Sequence, residues 1–141
     1  MNTEASAPTR SIIAERIPEG DRRMDVLPRH FGRLMLQVED AVYTFMRYLA
    51  TEYRGGYWHF YELSNGGFYM APDMEPVHVH VESNGYEGQM SADAAGITAC
   101  LFALSHLSNQ LHNDLLVRHF YLLRNFALEH AEARQILAAI D

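Results

Sequence analysis

Apolar residues recur along this chain with two different periods, and the change of period divides it into elements. Val38, Val42, Phe45, Met46, Leu49 and Tyr53 follow the spacing of one helical face. They predict a helix over Val38–Tyr53, ended by Gly55-Gly56. The segment Tyr57–Leu63 is aromatic and suits a pleated surface, and Asn65-Gly66-Gly67 reads as a turn before a second strand at Phe68–Ala71. Pro72 and Pro76 bracket a loop. Val77, Val79 and Val81 then alternate with His78, His80 and Glu82. Asn84-Gly85 predicts a two-residue hairpin turn with both residues at φ > 0, and Tyr86–Met90 returns. The expectation is one four-stranded antiparallel sheet over about 57–90.

The remainder reads as helix. Ser91 is an N-cap with Asp93 in the first turn, ahead of an apolar stripe of Ile97, Cys100, Leu101, Leu104, Leu107 and Leu111. Gly96 inside this helix implies close packing or a local bend. Asn113 caps a second helix with Leu116, Phe120, Leu123, Phe126 and Ala127 inward, and Ile136, Leu137 and Ile140 mark a short last one. Upstream, residues 1–20 read as a loosely ordered arm, in which Thr9 or Ser11 caps a short helix through Ile12, Ile13 and Ile17. Asp21 starts a helical stretch through Met24, Val26 and Leu27 that ends near Pro28 and Gly32. Fold class is therefore α+β, with the sheet packed by helices from both flanks and residues 21–141 forming a single compact domain.

Composition narrows the class. A chain of 141 residues with 48% apolar content can build a core without staples, because a domain this size buries about 70% of the surface its unfolded chain exposes. Cys100 is the single cysteine, which excludes an internal disulfide and suits a reducing cytoplasm. No run approaches the about 18 apolar residues of a membrane helix, and the first ten residues lack the pattern of a signal peptide. Net charge is −7, and every basic residue is Arg. Residues 1–54 balance eight Arg against eight acids, whereas residues 55–141 carry three Arg and ten acids. Such an acidic body lacks the footprint of a general DNA binder and does not suit an anionic membrane.

Three constellations bear on chemistry. His78, His80 and Glu82 share one strand face, and the Asn84-Gly85 turn sets Glu82 opposite Glu87 and His80 opposite Gln89. Two imidazoles and a carboxylate can hold zinc, but a solvated face opposite the valines explains them better, no fourth ligand is evident, and no bound metal is expected. The aromatics Tyr57, Trp58, Phe60, Tyr61, Phe68 and Tyr69 can stack bases, yet they sit in no basic groove and suit a sheet core. Arg22, Arg23, Arg29, His30 and Arg33 form the one basic cluster, with Asp21 and Asp25 among them. Cys100, in mid-stripe, reads as buried and inert; His106, His112, His119 and His130 have no clear partner in the sequence. No nucleophile elbow or phosphate loop is present.

Three blocks, Leu27–Gly32, Gly55–Pro72 and Ser91–Ile97, resemble the antirestriction family of the ArdB/KlcA type, and the resemblance runs from about Arg22 to Asp141. It implies proteins of plasmids and other mobile elements that help incoming DNA evade host type I restriction-modification, with no cofactor and no established catalytic residues. The implied partner is the host type I enzyme, met directly or through another host component; contact with nucleic acid stays open. Arg29, His30, Tyr57, Trp58, His59, Tyr61, Asn65 and Tyr69 make up the candidate interaction surface. DNA mimicry needs dense, regular carboxylates, about one charge per 1.7 Å of duplex axis. Here 18 acids are scattered among 11 Arg, and only Glu39-Asp40 are adjacent, which argues against it. The alternatives are a single-strand nucleic-acid module on the aromatic sheet and a metal-dependent hydrolase using His78, His80 and Glu82.

Overall fold

The structure, a computed structural model, describes residues 11–141. Its elements are β1 (Ala14–Arg16), α1 (Asp21–Phe31), a 3-10 turn at Gly32–Leu34, α2 (Met35–Leu49), β2 (Trp58–Leu63), β3 (Phe68–Pro72), β4 (Val77–Val81), β5 (Tyr86–Met90), α3 (Ala92–Leu111), α4 (Asp114–Leu128) and α5 (Ala133–Ile140). The class is α+β, but the strands form two antiparallel sheets instead of one. β1-β2-β3 is one, and the β4-β5 hairpin is the other.

The expected four-stranded sheet fails at the far edge of β3. Alternation along the β2–β3 ladder, fixed by Leu63 N–H to Gly67 O and Asp73 N–H to Tyr57 O, turns the N–H and C=O of Met70 away from β2. Helix α3 occupies that edge, not β4. Gly96 and Cys100, one turn apart, face it, and the Cys100 thiol lies 3.5 Å from Met70 N and 3.6 Å from Met70 O. A Cβ on Gly96 would fall 2.4 Å from Met70 O and 2.6 Å from Ala71 Cα. The glycine is therefore a close-approach site, the first of the two options its position allows.

β1 is the second departure. Ile12, Ile13 and Ile17 lie in an extended segment, not a helix, and Ala14, Glu15 and Arg16 pair with Leu63, Glu62 and Tyr61. Ile12 and Ile17 are buried in the core cluster, while Ile13 is exposed. Three isoleucines at that spacing fit a helical stripe, but an extended course along an available strand edge buries two of them and pairs alternate backbone groups with β2. The suggested cap at Thr9 and the first half of the arm lie outside the described residues.

The hairpin turn is longer than expected. Val81 pairs with Tyr86, His80 with Glu87 and His78 with Gln89, so the loop is Glu82–Gly85 and Glu82 is outside the strand. Of the Asn84-Gly85 pair only Gly85 has positive φ, at 79°. The Asn84 amide donates to the carbonyls of Ala138 and Ala139 at the end of α5, and its Oδ1 accepts from Tyr86 N–H. That tertiary tie, absent from any local rule, slides the register by two.

α3 is buried along most of its circumference: Ala94, Ala95, Gly96, Ile97, Thr98, Ala99, Cys100, Leu101, Ala103, Leu104 and Leu107. Its caps are as expected, with Ser91 Oγ accepting from Ala94 N–H and Asn113 Oδ1 accepting from the first turn of α4. Leu111, expected in the stripe, is exposed. α2 ends at Leu49, four residues early. Tyr53 still enters the core from the following loop and accepts the Trp58 indole N–H at 2.8 Å.

Gly96→Ala tests the contact between α3 and β3. Inside an ordinary helix this change stabilises by about 1 kcal/mol. Here the added methyl meets backbone, and overpacking should cost about 1–3 kcal/mol net. The thermal midpoint should fall by several degrees, at about 2–4 °C per kcal/mol for a domain of this size. An unchanged or higher midpoint would contradict the packing described.

Candidate functional site

The pleat of β2 sends alternate side chains to opposite faces. Trp58, Phe60 and Glu62 face α1 and α2, whereas Tyr61 faces the start of α3 and the end of α4. The candidate surface therefore splits into two patches of different chemistry.

On the α1 face, Glu62 is a partly buried carboxylate at the meeting point of three cationic or potentially cationic groups. Arg29 donates to its Oε2 at 2.5 Å, His30 Nε2 lies 2.7 Å from the same oxygen, and Arg22 reaches Oε1 at 3.4 Å. Arg22 also reaches Glu15. Position 62 is where β2 passes the last turn of α1, so the basic cluster of the sequence closes onto the sheet through one acid. A cavity of about 460 Å³ opens beside it, with Ile13, Ser64 and Gly66 on its other wall. Arg23, from the same helix, stacks on Phe60 and Tyr57 at 4.0 and 4.6 Å and donates to Trp58 O.

Behind this patch the His30 ring meets the His119 ring edge-on at 5.3 Å, and Phe31 lies 4.6 Å from His119. His119 is 4% exposed, and its Nδ1 has no hydrogen-bond partner. Burial, then the neighbouring His30 and Arg118, push its pKa down to about 4. The sequence gives His119 no partner and does not mark it as core, because a histidine carries no hydrophobic signal of its own. Its spacing from Leu116 and Leu123 is the one available clue, since those three residues and Phe126 share the inward face of α4.

The opposite face carries the second patch. Tyr61 and Tyr69 stack at 4.6 Å with rings 8° apart, and Phe126 continues the stack. The Tyr69 hydroxyl donates to Asp93 Oδ1 at 2.6 Å. His130 Nε2 lies 2.7 Å from Asp93 Oδ2, while its Nδ1 accepts the Glu132 N–H, so the ring hydrogen sits on Nε2 and is given to Asp93. Burial first, then Asp93, raises the phenols of Tyr61 and Tyr69 above the usual range. His59 bridges Arg16 and Asp73.

Of the eight candidate residues, Arg29 and Tyr57 are exposed, and His59 and Tyr61 are partly so. His30 is half-buried against Glu62, and Asn65 is committed to Leu122 O and Gly67 N–H. Trp58 and Tyr69 are buried, at 2% and 1% exposure, because the sheet is covered on both faces; neither is surface. With Phe60 and Phe68 also buried, four of the six aromatics are core, which leaves no row of exposed rings on which successive bases could stack. His78 pairs with Glu87 at 2.7 Å, holding that carboxyl below the usual range, and the shifted register separates Glu82 from the strand. Among the described residues no group of three or more His, Cys, Asp or Glu is placed to hold a metal ion. Cys100 is buried, which pushes its thiol up to about 12.

Comparison with known proteins adds three findings. A family model described as "Antirestriction protein" matches residues 51–141. The antirestriction protein KlcA of Escherichia coli is 46% identical over the whole of both chains, and a second E. coli KlcA is 47% identical over 92% of this chain and 94% of its own. A solved structure from work on the KlcA and ArdB proteins is 46% identical, covers both chains fully and superposes with a TM-score of 0.87. KlcA and ArdB are reported to show a novel fold and antirestriction activity against type I DNA restriction systems in vivo but not in vitro.

The buried imidazole gives a signed pH dependence. His119 takes up a proton more readily when unfolded, with an ordinary pKa of about 6.5, than when folded. Its contribution is present above pH 6.5 and is lost as pH falls toward 4, amounting to about 2 kcal/mol between pH 7 and 5. His119→Phe keeps an aromatic ring beside Phe31 and removes the titration. Denaturant midpoints should fall less steeply for the variant than for the parent between pH 6.5 and 5, and parallel curves would refute the assignment.

Proposed function

The chain belongs to the antirestriction protein family, and from that premise we propose that it protects unmodified DNA entering a bacterium from type I restriction-modification. The observation that carries this is end-to-end similarity to KlcA at 46% identity, with the same architecture. The in vivo but not in vitro activity of KlcA and ArdB favours action through a further host component over direct inhibition of the isolated restriction enzyme. Its place of action in this reading is the cytoplasm, where entering DNA meets that enzyme. Among the described residues no helix is long and apolar enough to cross a membrane.

We further propose a route that is neither catalysis nor DNA mimicry. The one thiol is buried and held protonated, and the buried His119 is held neutral. Acids that a mimic would display are bound internally: Glu62 by Arg22, Arg29 and His30, Asp93 by Tyr69 and His130, and Glu132 by Ser91. A mixed surface with a few ordered side chains supports contact with a protein partner. Tyr57 is 42% exposed yet held by Arg23 and by an edge-on contact with His59, so it can serve as a preformed anchor.

Expression in a strain with an active type I system should raise recovery of unmodified DNA and should change nothing in a strain lacking that system. Neutralising Glu39 with Asp40, or Glu82 with Glu87, should reduce protection less than about threefold, whereas Tyr57→Ala should reduce it about tenfold, as loss of an interface anchor does. Absence of protection by the parent protein would remove the functional reading. Loss in proportion to negative charge removed, with Tyr57→Ala silent, would restore mimicry.

A further inference from the structure

The sheet β1-β2-β3 has one edge sealed by α3, and no described strand or helix covers the other. Ile17 N–H bonds to Phe60 O, and Ser64 N–H to Ile13 O, so the odd-numbered residues of this stretch carry the ladder to β2. Ala14 and Arg16 therefore turn their N–H and C=O groups outward, and no described residue bonds to those groups.

A groove starts beside that edge and crosses the sheet face from β1 to the start of α3. Its first part, a cavity of about 280 Å³, runs between Ala14 and the Phe126–His130 turn; its second, of about 340 Å³, runs past Arg16 and Tyr61 to Asp73 and Glu75, and Asp93 lines both. The stacked Tyr61 and Tyr69 rings are central to it. Asp73, Glu75 and Asp93 face one arginine, Arg16, so the groove is acidic. Of these acids Asp93 is held by Tyr69 and His130, and Asp73 is shared with His59 at 3.3 Å; Glu75 is exposed and makes no hydrogen bond among the described residues.

We propose that the outer edge of β1 and this groove take an extended segment of a partner protein that carries a basic side chain. The outward backbone of Ala14 and Arg16, which no described residue pairs, selects a strand. Every second residue of that strand faces the same side of the sheet as Tyr61, so a long Lys or Arg side chain, extended across β1, points toward Tyr61 and the carboxylates of Asp73 and Glu75. The same negative lining disfavours a nucleic-acid backbone. Binding alone decides whether such a segment is taken, whatever the restriction assay gives.

The test is an amide chemical-shift titration of the full isotopically labelled chain with a short capped peptide of alternating Thr and Val around one central Arg. Saturable shifts are expected at Ala14 and Arg16. Affinity should fall about tenfold when the central Arg is replaced by Glu, when the pairing N–H groups of the peptide are methylated, and in Glu75→Arg. Ala14→Pro removes one outward N–H without touching the ladder to β2 and should act likewise; the methylated peptide carries this arm if that variant fails to fold. No saturable binding at millimolar peptide, equal affinity for the Arg and Glu peptides, shifts confined to another surface, or self-association of the chain through β1 would each overturn the proposal.

Discussion

The architecture depends on one contact: α3 lying against the unpaired edge of β3. A strand edge is a row of donors and acceptors that must be paired, solvated or covered. Covering it with a helix demands a helical face without bulk, and Gly96 with Cys100 supplies that face. The consequences reach the rest of the molecule. With β3 closed on that side, β4 and β5 pair only with each other and pack on α2, α3 and α5. With neighbours on most sides, α3 must be apolar nearly all round, which is why alanines and a threonine fill the positions between its leucines. The buried Thr98 hydroxyl satisfies itself on Ala94 O, so the helix carries a polar group inward at little cost.

Polar ties then fix how the ends of the chain meet this centre. Ser91 caps α3 and is itself held by Glu132, whose carboxylate accepts from both its N–H and its hydroxyl. Asp93, in the first helical turn, receives Tyr69 from β3 and His130 from the segment before α5. Asn84 joins the hairpin to the end of α5, and Glu129 holds Ser11 and Ile12 at the start of β1. Single exposed ion pairs contribute little. Most of these ties are partly buried and link segments far apart in sequence, so their role is to select one arrangement of the helices around α3.

Features set by neighbours in sequence are legible in it, and those set by tertiary contact are not. Ser91 and Asn113 cap as their positions require, and the alternation of Val77, Val79 and Val81 marks a strand buried on that face. Ile12, Ile13 and Ile17 suit two periods, and only the presence of the β2 edge decides between them. The Asn84-Gly85 pair reads as a minimal turn because its own conformational preferences favour one; the carbonyls at the end of α5 outweigh that preference. Small residues hide most. An alanine fits either side of a helix, so the stripe of large side chains in α3 marks one face where nearly all faces are buried. The candidate site is half legible. The basic cluster around Arg29 and His30 is visible, but its acidic centre, Glu62, belongs to a strand 32 residues from His30, and no local pattern joins them.

The uneven charge of the chain acquires a structural meaning from the same sheet. The balanced first part lends Arg22, Arg29 and His30 to a glutamate of β2, while the acidic second part supplies Asp73, Glu75 and Asp93 to the other face. Because neighbouring residues of β2 point in opposite directions, the two patches cannot merge into a single field. A duplex mimic must hold one sign of charge along a continuous track, at about one charge per 1.7 Å. This sheet, flanked by cations on one side and carboxylates on the other, supplies no such track by itself. Its local contrasts suit recognition of a particular protein surface, where complementarity at a few positions sets specificity.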